Sequence, residues 1–221
     1  MPSISILKLA LVAVLGQLAT ETVSAKPIAF ANGTTLMGEY GGGSMFEAQA
    51  FYAPRYFYSV GASALRLENE QAARDSAYLR VNWLLKRWNL PKAQGNVFVY
   101  GGLGNAREVQ SVGLATSAGL QADFETRRVY YSARIDLNHA FGRTLAIDTL
   151  QAGWAPYAHD FDDIATFFVL QARTYRGEIQ GQPLYRGVEY AALLRLFKGR
   201  TWLEVGVTQD RKPQAMLMVN F

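Results

Sequence analysis

The sequence predicts an all-β chain closed into an antiparallel transmembrane β-barrel of twelve strands, with ten as the alternative count. Three observations point there: period-two alternation that recurs along the chain, an export signal at its start, and a terminal strand that finishes on an aromatic residue. Charged residues make up only 18% of the chain and aromatic ones 13%, so a thin-walled fold must turn much of its surface toward something other than water. A bilayer supplies that surroundings.

At the N-terminus, Lys8 precedes an apolar run from Leu9 to Leu18, and Val23-Ser24-Ala25 offers a small-residue cleavage site. This is the order of a secretory signal peptide. The run is shorter than the roughly 20 apolar residues that a helical span needs. Residues 1–25 are therefore read as a signal peptide cleaved after Ala25, and 26–221 as a single domain. The absence of cysteine excludes a disulfide framework and thiolate metal sites. The net charge of +4 is spread without a basic run, so nucleic acid is not an expected partner.

Twelve strands are expected near 34–40, 46–53, 56–67, 77–88, 95–103, 116–126, 128–138, 144–154, 164–175, 184–197, 201–208 and 214–221. In the fourth, Leu79, Val81, Trp83 and Leu85 share one face and Tyr78, Arg80 and Asn82 the other. In the sixth, Leu120, Ala122 and Phe124 oppose Gln121, Asp123 and Glu125. The seventh sets Val129, Tyr131, Ala133, Ile135 and Leu137 against Arg128, Tyr130, Ser132, Arg134, Asp136 and Asn138. In the tenth, Tyr190, Ala192, Leu194 and Leu196 oppose Glu189 and Arg195. Successive side chains of a strand point to opposite faces, so each segment has an apolar face for lipid and a polar face for the interior. The eighth changes parity between Leu145/Ile147 and Leu150/Ala152/Trp154, which suggests a β-bulge near Asp148.

The connections alternate in length. Pro54-Arg55, Thr126-Arg127 and Lys198-Gly199-Arg200 read as tight turns, while 68–75, 104–115 and 176–183 read as longer polar loops. Barrels of bacterial outer membranes keep short turns on the periplasmic side, where 155–163 would then be a long exception. Tyr56, Trp88, Trp154 and Trp202 fall at those ends, as an interfacial aromatic girdle would.

The alternating Ala215, Leu217, Val219 and Phe221, ending on an aromatic carboxy-terminus, resemble the terminal signal of bacterial outer-membrane β-barrel proteins. The resemblance is to the class and to no particular family in it. It implies an outer-membrane location, contact with outer-membrane lipid and with lipopolysaccharide phosphates, which suit scattered arginines, and delivery by the barrel-assembly machinery, which would read Leu217, Val219 and Phe221. A soluble lipocalin-type barrel is the opposing possibility, but its inward face would be apolar and its outward face charged.

Catalytic and metal chemistry find little support. The two histidines, His139 and His159, have no His-x-Ser neighbour and no Gly-x-Ser-x-Gly turn nearby. His139 reads as a solvated loop residue. His159, Asp160, Asp162 and Asp163 lack the Gly and later Glu of an EF-hand loop and read as a charged turn, so no metal site is assigned. Gly41-Gly42-Gly43 and Gly101-Gly102-Leu103-Gly104 lack a following Gly-Lys-Ser/Thr, and no cofactor is expected.

The lumen remains. Arg80, Arg134, Arg173 and Arg195 are expected to point inward with Asp123, Glu125, Asp136, Glu189 and Glu204. Arg80, Arg134, Asp136, Arg173, Glu189 and Arg195 are the candidate lumen or solute residues. Inward charges either pair into a rigid core or line a water-filled passage. A narrow passive channel or small-solute-binding barrel is the leading expectation, with the arginines favouring anions or zwitterions. A non-conducting structural or interaction barrel with an ion-paired lumen is the alternative, and an outer-membrane lipid-modifying enzyme is third.

Overall fold

The computed structural model describes residues 31–109, 111–159 and 163–221. The segment read as a signal peptide lies outside them. Twelve antiparallel strands form one closed barrel: β1 (Gly33–Gly41), β2 (Met45–Arg55), β3 (Tyr58–Glu68), β4 (Ala73–Leu90), β5 (Ala93–Glu108), β6 (Ser111–Thr126), β7 (Val129–Ala140), β8 (Arg143–Trp154), β9 (Ala165–Arg176), β12 (Val188–Lys198), β13 (Thr201–Thr208) and β14 (Pro213–Asn220). A separate two-residue pair, β10 (Glu178–Ile179) with β11 (Gln182–Pro183), sits between β9 and β12. Twelve is therefore the count, and the ten-strand alternative falls.

Strands adjacent in sequence pair with one another. The ring closes where β1 meets β14, from Thr35↔Asn220 to Gly41↔Gln214. The last residue completes that seam: Phe221 N donates to Thr34 O at 2.8 Å and Thr34 N donates back to Phe221 O at 3.0 Å. No sheet edge is left along the wall, which is how a barrel satisfies its backbone polar groups in an apolar surroundings.

Alternation decides which residues face in. On β4, Leu79, Val81, Trp83 and Leu85 are exposed outside, whereas Tyr78, Arg80 and Asn82 are buried inside. On β7, Tyr131, Ile135 and Leu137 are exposed outside, and Tyr130 and Asn138 are buried. The outer wall is an apolar belt of Leu120, Phe124, Leu150, Phe168, Leu170, Tyr190 and Val205, all exposed. Tyr56, Trp88 and Trp154 are exposed near the rim where β1 begins and β14 ends, here called the terminal rim; the opposite one is the loop rim.

Four expectations are corrected. First, 104–115 is not a loop: β5 and β6 pair without a break from Ala93↔Thr126 to Glu108↔Ser111. The polar run had suggested a loop, but Glu108 turns inward to meet Arg74. Second, no bulge interrupts β8, whose pairing with β7 runs from Val129↔Trp154 to Ala140↔Arg143. Leu145 and Ile147 keep the inward parity of Thr149 and Gln151, and they are apolar because they seal the loop rim. The irregularities lie instead between Tyr52 and Arg55 and between Leu84 and Lys86. Third, Trp202 is not a girdle residue; it is buried and its Nε1 donates to Glu204 at 2.9 Å. Fourth, the loop expected at 176–183 is the longer stretch 177–187, and it folds over the loop rim.

Candidate functional site: the lumen

All six candidate residues, Arg80, Arg134, Asp136, Arg173, Glu189 and Arg195, turn into the lumen, as do Asp123 and Glu204. Arg173 and Glu189 are the most enclosed, at 2% and 1% exposure. Glu125 is half-buried opposite Tyr130 near the terminal rim.

The decisive contact is a crossbar. Glu39 on β1 bonds Arg134 on β7 (Nη2 to Oε2, 3.3 Å), and β1 and β7 stand six strands apart in either direction around the ring. The pair thus spans the barrel's diameter. Glu39 also bonds Arg173 of β9. Arg134 Nε lies 2.8 Å from Asp136, and Asp136 accepts the Tyr100 hydroxyl. The Tyr100 ring lies 3.8 Å from the Arg80 guanidinium, whose Nη1 is 3.4 Å from Glu47. One network therefore joins β1, β2, β4, β5, β7 and β9.

A second cluster sits closer to the terminal rim. Arg195 Nε donates to Glu204 at 2.8 Å and its Nη2 to Gln151 at 2.9 Å. The same guanidinium lies 3.7 Å from the Tyr130 ring and 4.4 Å from the Trp202 ring. Desolvated cation–π contacts of this kind contribute about 2 kcal/mol. Glutamines extend this cluster along the wall to Glu189: Gln151 Nε2 donates to Gln171 at 3.0 Å, Gln171 to Gln214 at 2.9 Å, and Gln214 to Glu189 at 3.0 Å. Amides both donate and accept, so the ladder satisfies itself away from bulk water.

Beside the crossbar lies a cavity of about 100 Å³, lined by the charged Glu39, Arg80, Arg134 and Arg173 and by the apolar Met37, Trp202, Met216 and Met218. At roughly 10–15 Å³ per water, it holds several waters. On the loop-rim side a second space, lined by Glu47, Tyr78, Arg80, Tyr100 and Asp136, measures about 10 Å³, or one water. The lumen narrows at this level.

Above it an apolar cluster occupies one arc of the lumen, beside the buried Arg74–Glu108 pair of β4 and β5 and the buried polar Glu189, Thr208 and Gln214 of β12 to β14. Met45, Leu65, Leu67, Tyr78, Ala106, Ala115, Ala140, Leu145, Ile147 and Tyr175 come from β2 through β9 and pack into one buried cluster. Ile179 and Leu184 of the 177–187 segment complete it.

No known protein family and no curated protein matches the chain. A solved structure described as "NanC porin structure in rhombohedral crystal form" is similar to it over 85% of this chain and 97% of that one. The identity is 11% and the TM-score 0.42.

The sequence reading missed Glu39, Glu47, Tyr100, Gln151 and Gln171. The signal for Glu39 was present, since Thr35, Met37 and Glu39 alternate with Leu36, Gly38 and Tyr40, but the short, glycine-flanked strand hid its parity. The histidines do not meet. His139 lies on the outside of β7, its Nδ1 2.9 Å from Thr144 Oγ1, near the loop rim. His159 belongs to the terminal-rim connection, where its carbonyl accepts Arg127 Nε at 2.8 Å. Asp160 and Asp162 of the acidic turn lie outside the described residues.

Proposed function

We propose that the protein is a bacterial outer-membrane barrel that forms a narrow passage for small polar solutes, here in a closed form. The observation that carries this reading is the nature of the obstruction. Larger barrels than eight strands leave room inside, and the mid-lumen of this one is crossed by side chains of the Glu39–Arg134–Arg173 network rather than by an inserted backbone segment. A side-chain obstruction clears by rotamer changes that leave the backbone of the wall in place, so the route is narrow without being permanently blocked.

The exposed apolar belt and the polar interior support membrane insertion, and the aromatic residues near the terminal rim support placing that rim in the periplasm. Arg80, Arg134, Arg173 and Arg195 would favour anions or zwitterions. The carboxylates beside each of them favour the zwitterion. The signal peptide ending at Ala25, recognition of Leu217, Val219 and Phe221 by the assembly machinery, and contact with lipopolysaccharide belong to the same reading.

A second reading is a non-conducting barrel, favoured by the pairing of Arg80 with Glu47, Arg134 with Asp136, Arg173 with Glu39 and Arg195 with Glu204. Single-channel recording of the refolded protein in planar bilayers separates the two. Discrete openings, with ion selectivity altered in Arg134→Gln, support the passage. A heat-modifiable, folded barrel with no current in wild type or in a Glu39→Ser/Arg134→Ser variant supports the scaffold.

A further inference from the structure

We infer that residues 177–187 are a hinged gate over the loop rim, with Ile179 and Leu184 as its plug. The inference rests on the passage reading above and adds the moving part. The observations are independent of the mid-lumen network.

The segment is the longest connection at its rim, where the other connections span 42–44, 69–72, 109–110, 141–142 and 209–212. A connection needed only to join β9 to β12 could be as short as these. Instead it carries its own pair, β10 with β11, and sends two apolar side chains downward: Ile179 is 0% and Leu184 5% exposed. They pack into the apolar arc contributed by β2 through β9, while β1, β12, β13 and β14 add no residue to that cluster. An apolar constriction excludes water and ions by dewetting, so seating these two residues closes the mouth, and withdrawing them opens it.

The segment is built to move as a unit. Glycines stand at both of its ends in left-handed backbone, Gly177 at φ +99° and Gly187 at φ +84°, a region where other residues are strained. Hinges are a few terminal residues of this kind that absorb large backbone changes. What holds the segment down at its edges is polar and exchangeable with water. Asn69 Nδ2 donates to Pro183 O at 3.2 Å and lies 3.4 Å from Gln182 O. The Tyr185 hydroxyl donates to Asp210 at 2.6 Å, and Gln209 Nε2 donates to Tyr185 at 2.9 Å and to Val188 O at 3.1 Å. Asn69 is itself fixed, because its Oδ1 accepts Gln71 N and Ala72 N at 2.9 and 2.8 Å. The latch therefore stands on the 69–72 and 209–212 connections and holds the segment through Gln182, Pro183 and Tyr185.

The chain has no cysteine, so the test can use introduced thiols alone. In planar bilayers, wild type is compared with a lidless variant in which 178–186 is replaced by a short Gly-Ser turn, with Ile179→Ser, and with Asn69→Cys/Gln182→Cys joined by a short, reducible bis-thiol crosslinker. Folding of each is checked by the heat-modifiable gel shift. The gate predicts a lidless barrel resident in its open level, an open probability at least about tenfold higher in Ile179→Ser, equivalent to about 1.4 kcal/mol, and a crosslinked barrel that is silent until reduced. Equal current in all four overturns the gate and leaves the passage standing. Silence in all four, with every barrel folded, overturns the passage and the gate with it.

Discussion

Removing the Glu39 carboxylate tests the crossbar most directly. In Glu39→Ala, Arg134 keeps Asp136 at 2.8 Å, while Arg173, 2% exposed, keeps a hydrogen bond to Thr149 Oγ1 at 3.3 Å. Breaking a buried pair from one side costs about 3–5 kcal/mol, because the surviving charge is left uncompensated. Here the adjoining cavity of about 100 Å³ admits water to the orphaned guanidinium, so the expected loss falls to the bottom of that range or just below it, about 2–3 kcal/mol. Glu39→Gln retains an acceptor and should lose about 1–2 kcal/mol. An exposed pair serves as the control: Arg66 and Asp75 are 2.9 Å apart, with side chains 46% and 53% exposed, and Asp75→Ala should cost no more than about 1 kcal/mol. The assay is reversible urea unfolding in lipid vesicles, followed by tryptophan fluorescence and by gel mobility. A loss for Glu39→Ala no larger than that of Asp75→Ala would refute the reasoning, because the crossbar would then be a solvated contact rather than a buried tie.

Further outcomes follow from single contacts. The Tyr100 ring occupies the space a Cβ would take at Gly119, so Gly119→Ala should displace the ring from Arg80 and Asp136 and cost about 1–3 kcal/mol, measured by the same unfolding. Trp202→Phe removes the donor to Glu204 and a wall of the Arg195 box; it should cost about 1–3 kcal/mol, against a near-neutral Trp88→Phe on the outer surface. At the loop rim the bond to Asp210 raises the pKa of Tyr185 above the ordinary tyrosine value. A raised folded value means that the bond contributes at neutral pH and is lost as pH rises through it, so channel opening should increase only in strongly alkaline solution, and Tyr185→Phe should abolish that dependence. Deleting Phe221 removes two seam hydrogen bonds and should slow refolding into vesicles.

What the sequence made legible was parity. Strong alternation on β4, β6, β7 and β12 is enough to place Arg80, Asp123, Arg134, Glu189 and Arg195 inside. The rule failed where the interior stops being polar. Leu145 and Ile147 looked like a slip of register because an inward apolar residue contradicts the simple pattern, yet they belong to the buried apolar cluster near the loop rim. Trp202 was misplaced for the opposite reason: proximity to a turn suggested a girdle, although the inward assignment of Glu204 already fixed Trp202 on the same face. The crossbar was beyond reach, since it joins strands on opposite sides of the ring and depends on closure, a property of all twelve strands at once.

The seam between β1 and β14 bears on how the chain reaches this state. Thr34 and Phe221 bond to each other, so the first strand synthesised must wait for the final residue before its outer edge is satisfied. Every other neighbouring pair can form as a local hairpin or short crossover, but this one closes nearly the whole chain, and the entropy of that closure is spent before its contacts return anything. Until then β1 offers unpaired N–H and C=O groups to any passing strand. Ring completion is therefore the step at which folding and pairing with another chain compete.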